Sequence, residues 1–182
     1  GDRQGRPEER PGGMIVPETL FDLDGRVAVV TGGGQGIGRA IAEALVRHGA
    51  TVVVCGRSRE KLERTADALG KVRGTVHVLP MDVRSDDDVA HGRDWLAREL
   101  GGIDVLVNNA GVDPHYGSIE KTSVQAWEEI LAVNLTGVFR CCRDLGGLML
   151  RKGRGSIINV SSIAGHIGLK RQVPYCASKG GV

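Results

Sequence analysis

Val27-Ala28-Val29-Val30 is an unbroken apolar run that leads into Thr31-Gly32-Gly33-Gly34-Gln35-Gly36-Ile37-Gly38 and then directly into a helical pattern. No other feature constrains the fold as strongly. A short strand that is apolar at every position has to be covered on both faces, which is the habit of parallel sheets flanked by helices. A glycine-rich turn opening straight into a helix gathers backbone N–H groups at the helix N-terminus, where negative charge is favoured. The spacing is Gly32-x-x-x-Gly36-x-Gly38 rather than G-x-G-x-x-G. It serves the same purpose, because glycine lets the backbone approach a pyrophosphate. The competing reading is a glycine-rich turn with no ligand.

The rest of the chain repeats the strand–helix alternation. Helical periodicity runs from Ile37 to His48, with Ile41, Leu45 and Val46 on one face. Thr51 to Cys55 reads as a strand, Ser58 to Leu69 as a charged helix and Thr75 to Leu79 as a third strand. Asp86 to Leu100 reads as a helix with Ser85 as its N-cap. Ile103 to Val107 is the fourth strand, followed by a short helix from Ser123 to Leu131 and a longer one from Leu135 to Leu150. Ser156 to Val160 is the fifth strand, and Pro174 opens a last helix. Such alternation predicts an α/β fold with a doubly wound parallel sheet, whose ligands bind at the carboxyl ends of the strands. Residues 1–17 are rich in Gly, Pro, Arg and Glu and read as a disordered tail. Met14 is a possible natural start. The domain is expected over residues 18–182.

Composition narrows the function classes. A net charge of +2 gives no electrostatic case for nucleic acid or an anionic membrane. Aromatics at 3% are too few for a base-stacking platform. Cys55, Cys141, Cys142 and Cys176 form no C-x-x-C pair and no metal-ligand spacing, so no metal site is expected. They read as reduced thiols of a cytoplasmic protein. No apolar run reaches the roughly 18 residues of a membrane span.

The remaining motifs all fall just beyond strand ends. After strand two stands Cys55-Gly56-Arg57-Ser58-Arg59, without the carboxylate that would bind the 2′-hydroxyl of NAD. Arg57 fits a 2′-phosphate, or equally a solvated helix start. Asp82-Val83 follows strand three, where it could meet an adenine or cap a turn. Asn108-Asn109-Ala110-Gly111 follows strand four, its small residues leaving room for a ligand across the sheet edge. Asn134 stands where one helix passes into the next, either as a cap or holding a water. Tyr175 and Lys179, four residues apart, share one helix face. An ammonium there favours the phenolate and lowers the ordinary tyrosine pKa of about 10. His115 and Tyr116, in the loop after strand four, either line the substrate pocket or face solvent.

Taken together, these segments resemble the short-chain dehydrogenase/reductase family in its classical form, from about Leu20 to Val182. Thr31-Gly32-x-x-x-Gly36-x-Gly38, Asn108-Asn109-Ala110-Gly111, Asn134, Ser162 and Tyr175-x-x-x-Lys179 match its motifs in order and spacing. The resemblance implies a Rossmann fold and reversible carbonyl reduction with NADP(H), NAD being possible. Tyr175 would be the general acid/base. Lys179 would lower its pKa and bind the nicotinamide ribose, Ser162 would orient the substrate oxygen, and Asn134 would hold a water linking Lys179 to solvent. The thirteen-residue step to Tyr175 selects Ser162 over Ser161. Gly32, Gly34, Gln35, Gly36, Ile37, Gly38, Arg57, Ser58, Asp82, Val83, Asn109, Ala110 and Gly111, with Tyr175 and Lys179, would form the cofactor site.

The wording of the chain is most similar to 3-oxoacyl-carrier-protein reductases and gluconate-type dehydrogenases, so the substrate would be a small-molecule carbonyl or alcohol. The resemblance also implies a homotetramer when full length, assembled partly through the helix after Asn134 and the one begun at Tyr175. By family length the chain is expected to be C-terminally incomplete, with its last strands missing and strand five left with an open apolar edge. Residues 1–182 alone are then expected to be aggregation-prone and essentially inactive. The alternatives are an NAD-preferring alcohol dehydrogenase of the same fold and a catalytically inactive dinucleotide-binding fragment.

Overall fold

Five strands, β1 (Val27–Thr31), β2 (Thr51–Gly56), β3 (Thr75–Pro80), β4 (Val105–Asn108) and β5 (Ser156–Asn159), form one parallel sheet in the order β3-β2-β1-β4-β5. The computed structural model of the chain describes residues 21–70 and 73–182, and the expected tail at residues 1–17 lies outside them. From β1 the chain winds outward through β2 to β3, then returns to add β4 and β5 on the other side of β1. The direction of winding reverses between β1 and β4, and the crevice of such a sheet lies at that reversal.

Both faces of the sheet are covered, as the apolar strands require. Alternate residues of β1 supply the two cores. Val29 packs with Val53 and Leu106 against Val89 and Leu96 of α3 (Asp86–Leu100) and Cys141 of α5 (Gly137–Asp144). Ala28 and Val30 pack with Val52 and Val54 against Ala42 and Val46 of α1 (Gly36–Arg47) and Leu62 and Leu69 of α2 (Arg59–Leu69). Fully burying one such valine contributes about 1.5–3 kcal/mol before the entropy of ordering is subtracted. The helices start where local chemistry says they should. Ser58, Ser85 and Ser123 each accept a hydrogen bond from the backbone N–H three residues on, capping α2, α3 and α4 (Val124–Leu131). Gly101 closes α3 in the left-handed conformation.

Two expectations need correcting. The fourth strand spans Val105–Asn108, not Ile103 to Val107. Asp104, just before it, instead turns its carboxylate onto the β1 N–H of Val27 (3.0 Å), Lys152 (3.1 Å) and Arg154 (3.4 Å). The separate helices expected at Ser123–Leu131 and Leu135–Leu150 are one helical run. α4 widens into a π turn (Ala132–Thr136), continues as α5 and then as α6 (Gly146–Lys152), with helical dihedrals at Leu131, Gly137 and Leu145. No proline interrupts the run, and Asn134 turns inward rather than capping a new helix.

β5 forms an edge of the described sheet, paired with β4 alone. Ile157 and Ile158 are 41% and 49% exposed there. The last helix, α7 (Val173–Gly181), has Pro174 in its first turn and is in contact with α4 and the π turn.

Candidate functional site

The glycine loop is held open by hydrogen bonds from β4's end. Thr31 Oγ1 donates to the Val107 carbonyl (3.4 Å) and accepts from the N–H groups of Asn109 and Ala110 (3.0 Å each). The Asn109 amide donates back to the Thr31 carbonyl at 3.0 Å. These bonds place the loop after β1 against the loop after β4. Gly32 and Gly36 adopt φ of 67° and 53°, which L side chains rarely tolerate. A Cβ on Gly38 would fall 2.3 Å from the Gly32 carbonyl oxygen. Glycine is required there by contact rather than by dihedral. Gln35 precedes α1 without capping it through its side chain, and the first turn of α1 holds no acidic residue. The first N–H groups of α1 are therefore free to meet an anion.

A cavity of about 620 Å³ opens above this loop. All thirteen residues expected from strand ends one to four line it: Gly32, Gly34, Gln35, Gly36, Ile37, Gly38, Arg57, Ser58, Asp82, Val83, Asn109, Ala110 and Gly111. Asp82 is held by Arg84, which donates to it from Nε and Nη2 and keeps its carboxyl below the usual aspartate range. Val83 is buried, and a Cβ on Gly137 would touch it at 2.7 Å.

The three residues expected to carry chemistry come from β5's end and α7. Ser162 accepts from the Ala164 N–H (3.1 Å) and so caps a single 3-10 turn, with its own hydroxyl hydrogen still available. Its neighbour Ser161 donates to the Lys179 carbonyl at 2.7 Å and is structural in that sense. Lys179 is 7% exposed. Its ammonium donates to the Val160 carbonyl at 2.7 Å and lies 6.0 Å from the Tyr175 ring centre. Burial lowers its pKa from the ordinary lysine value. Gly111 joins this group to the cavity, since a Cβ there would sit 3.7 Å from Lys179 Nζ. Neither Tyr175 nor Lys179 is part of the cavity lining itself.

Asn134 is fully buried in the π turn. Its Oδ1 accepts from the Val112 N–H (2.8 Å), and its Nδ2 donates to the Val112 carbonyl (2.9 Å) and to Ser178 Oγ (3.1 Å). Both amide hydrogens are engaged by protein groups, so the side chain acts here as a clamp between the loop after β4 and α7. Ser178 in turn donates to the Tyr175 carbonyl at 2.8 Å. Sequence reading passed over Ser178, whose position next to Lys179 turns it inward. It also passed over Lys61, which lines the cavity from α2 and donates to Gln35 Oε1 at 2.8 Å. The spacing Arg57-x-x-x-Lys61 was the available signal for the second. His115 is half-buried and bonded to Thr122 at 2.9 Å, while Tyr116 is 68% exposed beneath the Arg171 guanidinium.

Asn108 is buried with one loose end. Its amide nitrogen donates to Asn159 at 2.9 Å, and its Oδ1 has no partner among the described residues.

Comparison with known proteins gives a consistent result. A family model described as short chain dehydrogenase matches residues 26–182. D-threitol dehydrogenase of Mycolicibacterium smegmatis is 43% identical over 89% of the chain and 62% of its own length. A 3-oxoacyl-[acyl-carrier-protein] reductase of Aquifex aeolicus is 37% identical over 88% of the chain and 64% of its own length. The crystal structure of an NAD+-bound xylitol dehydrogenase superposes with a TM-score of 0.82 at 30% identity, covering 87% of the chain and 61% of that structure. The chain thus spans less than two thirds of the length of each.

Proposed function

Because the chain belongs to the short-chain dehydrogenase family, we propose that this protein reduces a carbonyl, or oxidises the matching secondary alcohol, with NADP(H) as hydride carrier. The observation that carries the reading is the meeting, at Gly111, of the glycine-loop cavity with the Tyr175–Lys179 helix. The residues present suit a dinucleotide. The glycines leave a cradle that a Cβ would fill, and the N-terminus of α1 is uncapped. At the end of β2 stand Gly56 and Arg57, where an NAD enzyme would carry a carboxylate.

A bound nicotinamide supplies or accepts the hydride at its C4 atom. The chain's own residues manage the oxygen and its proton. Tyr175 gives a proton to the substrate oxygen or takes it back. Lys179, with two ammonium hydrogens left after its bond to Val160 and its ammonium 6.0 Å from the Tyr175 ring, would hold the cofactor ribose. Ser162 orients the substrate oxygen through its free hydroxyl hydrogen. Asn134 fixes α7 against the cavity wall. The substrate is a small carbonyl compound or alcohol of the kind named in the relatives: a sugar alcohol or an oxoacyl thioester.

Assembly as a homotetramer is supported by Phe139 and Leu150, which stand 59% and 84% exposed on the long helical run. A reducing, cytoplasmic setting is supported by four free cysteines. NAD preference is a second reading, favoured by an uncharged Gln35 in the glycine loop. Titrating the purified whole protein, at the length of its relatives, with NADPH and NADH, then following ketone-dependent oxidation of each, tests both readings. Tighter NADPH binding with turnover supports the proposal. Preference for NADH overturns its cofactor half, and binding of both without turnover on any ketone, thioester or sugar overturns its catalytic half.

A further inference from the structure

We infer that Lys61, delivered by α2 rather than by the glycine loop, is the second cation of the subsite that selects a 2′-phosphate; this rests on the NADP(H) reading above.

The first argument is position. α2 lies against the glycine loop because Gly34 has no side chain. A Cβ there would meet Lys61 Cβ at 3.2 Å and Leu62 Cδ2 at 3.3 Å. Thr65 fastens the contact by donating to the Gly34 carbonyl at 3.1 Å. Lys61 is thereby brought over the loop, where its ammonium donates to Gln35 Oε1 at 2.8 Å. Gln35, Arg57, Ser58 and Lys61 all line the same cavity.

The second argument is charge. The two glutamates of α2 are already matched to other bases, Glu63 with Arg59 at 3.4 Å and Glu60 with Arg64 at 3.1 Å. Asp82 is held by Arg84 at 2.7 Å and feels the Arg57 charge more weakly. Among the described residues neither Arg57 nor Lys61 forms an ion pair, and both line one cavity at the start of α2. Ser58 caps that helix by accepting the Lys61 N–H, so its hydroxyl hydrogen stays free to donate. A dianionic phosphate answers all three groups at once, whereas a ribose hydroxyl answers none of the charges. In this arrangement Gln35 parks the lysine. A neutral amide gives up an ammonium to a phosphate easily, as a carboxylate would not.

Isothermal titration with adenosine 2′,5′-bisphosphate against 5′-AMP isolates the extra phosphate and needs no turnover. The wild type is expected to prefer the bisphosphate. Lys61→Met should weaken the bisphosphate about tenfold or more while leaving 5′-AMP unchanged, because hydrogen bonds to charged groups carry that much. Lys61→Arg should recover most of the loss, and the difference should shrink in high salt. Lys61 is exposed, so its variants keep the fold. If Arg57→Ala loses the preference and Lys61→Met keeps it, the inference fails and the NADP(H) reading stands. If Lys61→Met weakens both ligands equally, the lysine supports the loop rather than the phosphate, and the inference fails. If the wild type shows no preference, the NADP(H) reading fails and takes this inference with it.

Discussion

The amide of Asn134 donates to the hydroxyl of Ser178 at 3.1 Å, joining two buried residues that are 44 positions apart. Through Ser178 the bond reaches the Tyr175 carbonyl, and through Val112 it reaches the loop after β4. One asparagine thus sets the distance between the helix bearing Tyr175 and the wall bearing Gly111. Ser178→Ala leaves an Asn134 hydrogen buried without a partner, which costs about 1–3 kcal/mol. We predict a lower urea midpoint, measured by circular dichroism, together with reduced turnover at unchanged cofactor affinity. An unchanged midpoint would show that the bond is dispensable.

Tyr175→Phe tests the chemistry directly. The phenol is proposed to act on the substrate oxygen and touches no phosphate. Turnover is predicted to fall by about 10²–10⁴-fold, the usual worth of a positioned acid. Cofactor affinity, read by nicotinamide fluorescence, should stay within a small factor of wild type. Wild-type turnover in this variant would remove Tyr175 from the mechanism.

Gly38→Ala tests the cradle. The new methyl would stand 2.3 Å from the Gly32 oxygen and 2.5 Å from Asn109 Nδ2, so loop or helix must move. Overpacking of this kind costs about 1–3 kcal/mol. Loss of dinucleotide binding is expected to exceed loss of stability, and calorimetric titration beside thermal melting separates the two. A variant that binds NADPH as wild type does would mean the cavity floor is softer than the contacts imply.

Asp104 gives the pH dependence, far from the site. Burial pushes its carboxyl up, but the Val27 N–H, the Lys152 bond and the nearby Arg154 together hold it below the ordinary aspartate value. The folded pKa is therefore below the unfolded one of about 3.9. Its contribution is present in full above that value and lost as pH falls through the folded pKa. The wild type is predicted to lose stability steeply below about pH 4. Asp104→Asn should show a flatter acid limb and about 1.5–3 kcal/mol less stability at neutral pH. Parallel acid limbs in urea titrations at several pH values would exclude Asp104 as the cause.

The strands and the glycine loop could be read from sequence because their signals are local. Val27 to Val30 is apolar at every position, and Gly36 and Gly38 stand where a helix begins. Asn134 was visible as a residue but not as a geometry. Nothing in Ala132 to Thr136 marks a π turn, because the turn exists to satisfy partners at Val112 and Ser178. Lys61 was hidden for a related reason. On its own helix it looks like one more solvated charge, and only the missing side chain at Gly34, 27 residues earlier, turns it toward the cavity. Asp104 looked like part of a strand because its neighbours Ile103 and Val105 are apolar. Its carboxylate has bases to meet at the other end of the sheet.

The π turn also determines where this chain can tolerate losing a residue. Removing one residue from an α-helix rotates everything beyond it by about 100°, which here would swing Cys141 and Leu145 out of the core. A π turn carries one residue more per turn than an α turn. Deleting Ala132 would close the widened turn to ordinary α geometry and leave α4 and α5 in their present orientations. The fold should survive, with melting temperature as the readout, while Asn134 would face away from Val112 and Ser178 and turnover would be lost. A single position in a long helix would thus be dispensable for folding yet required for the site.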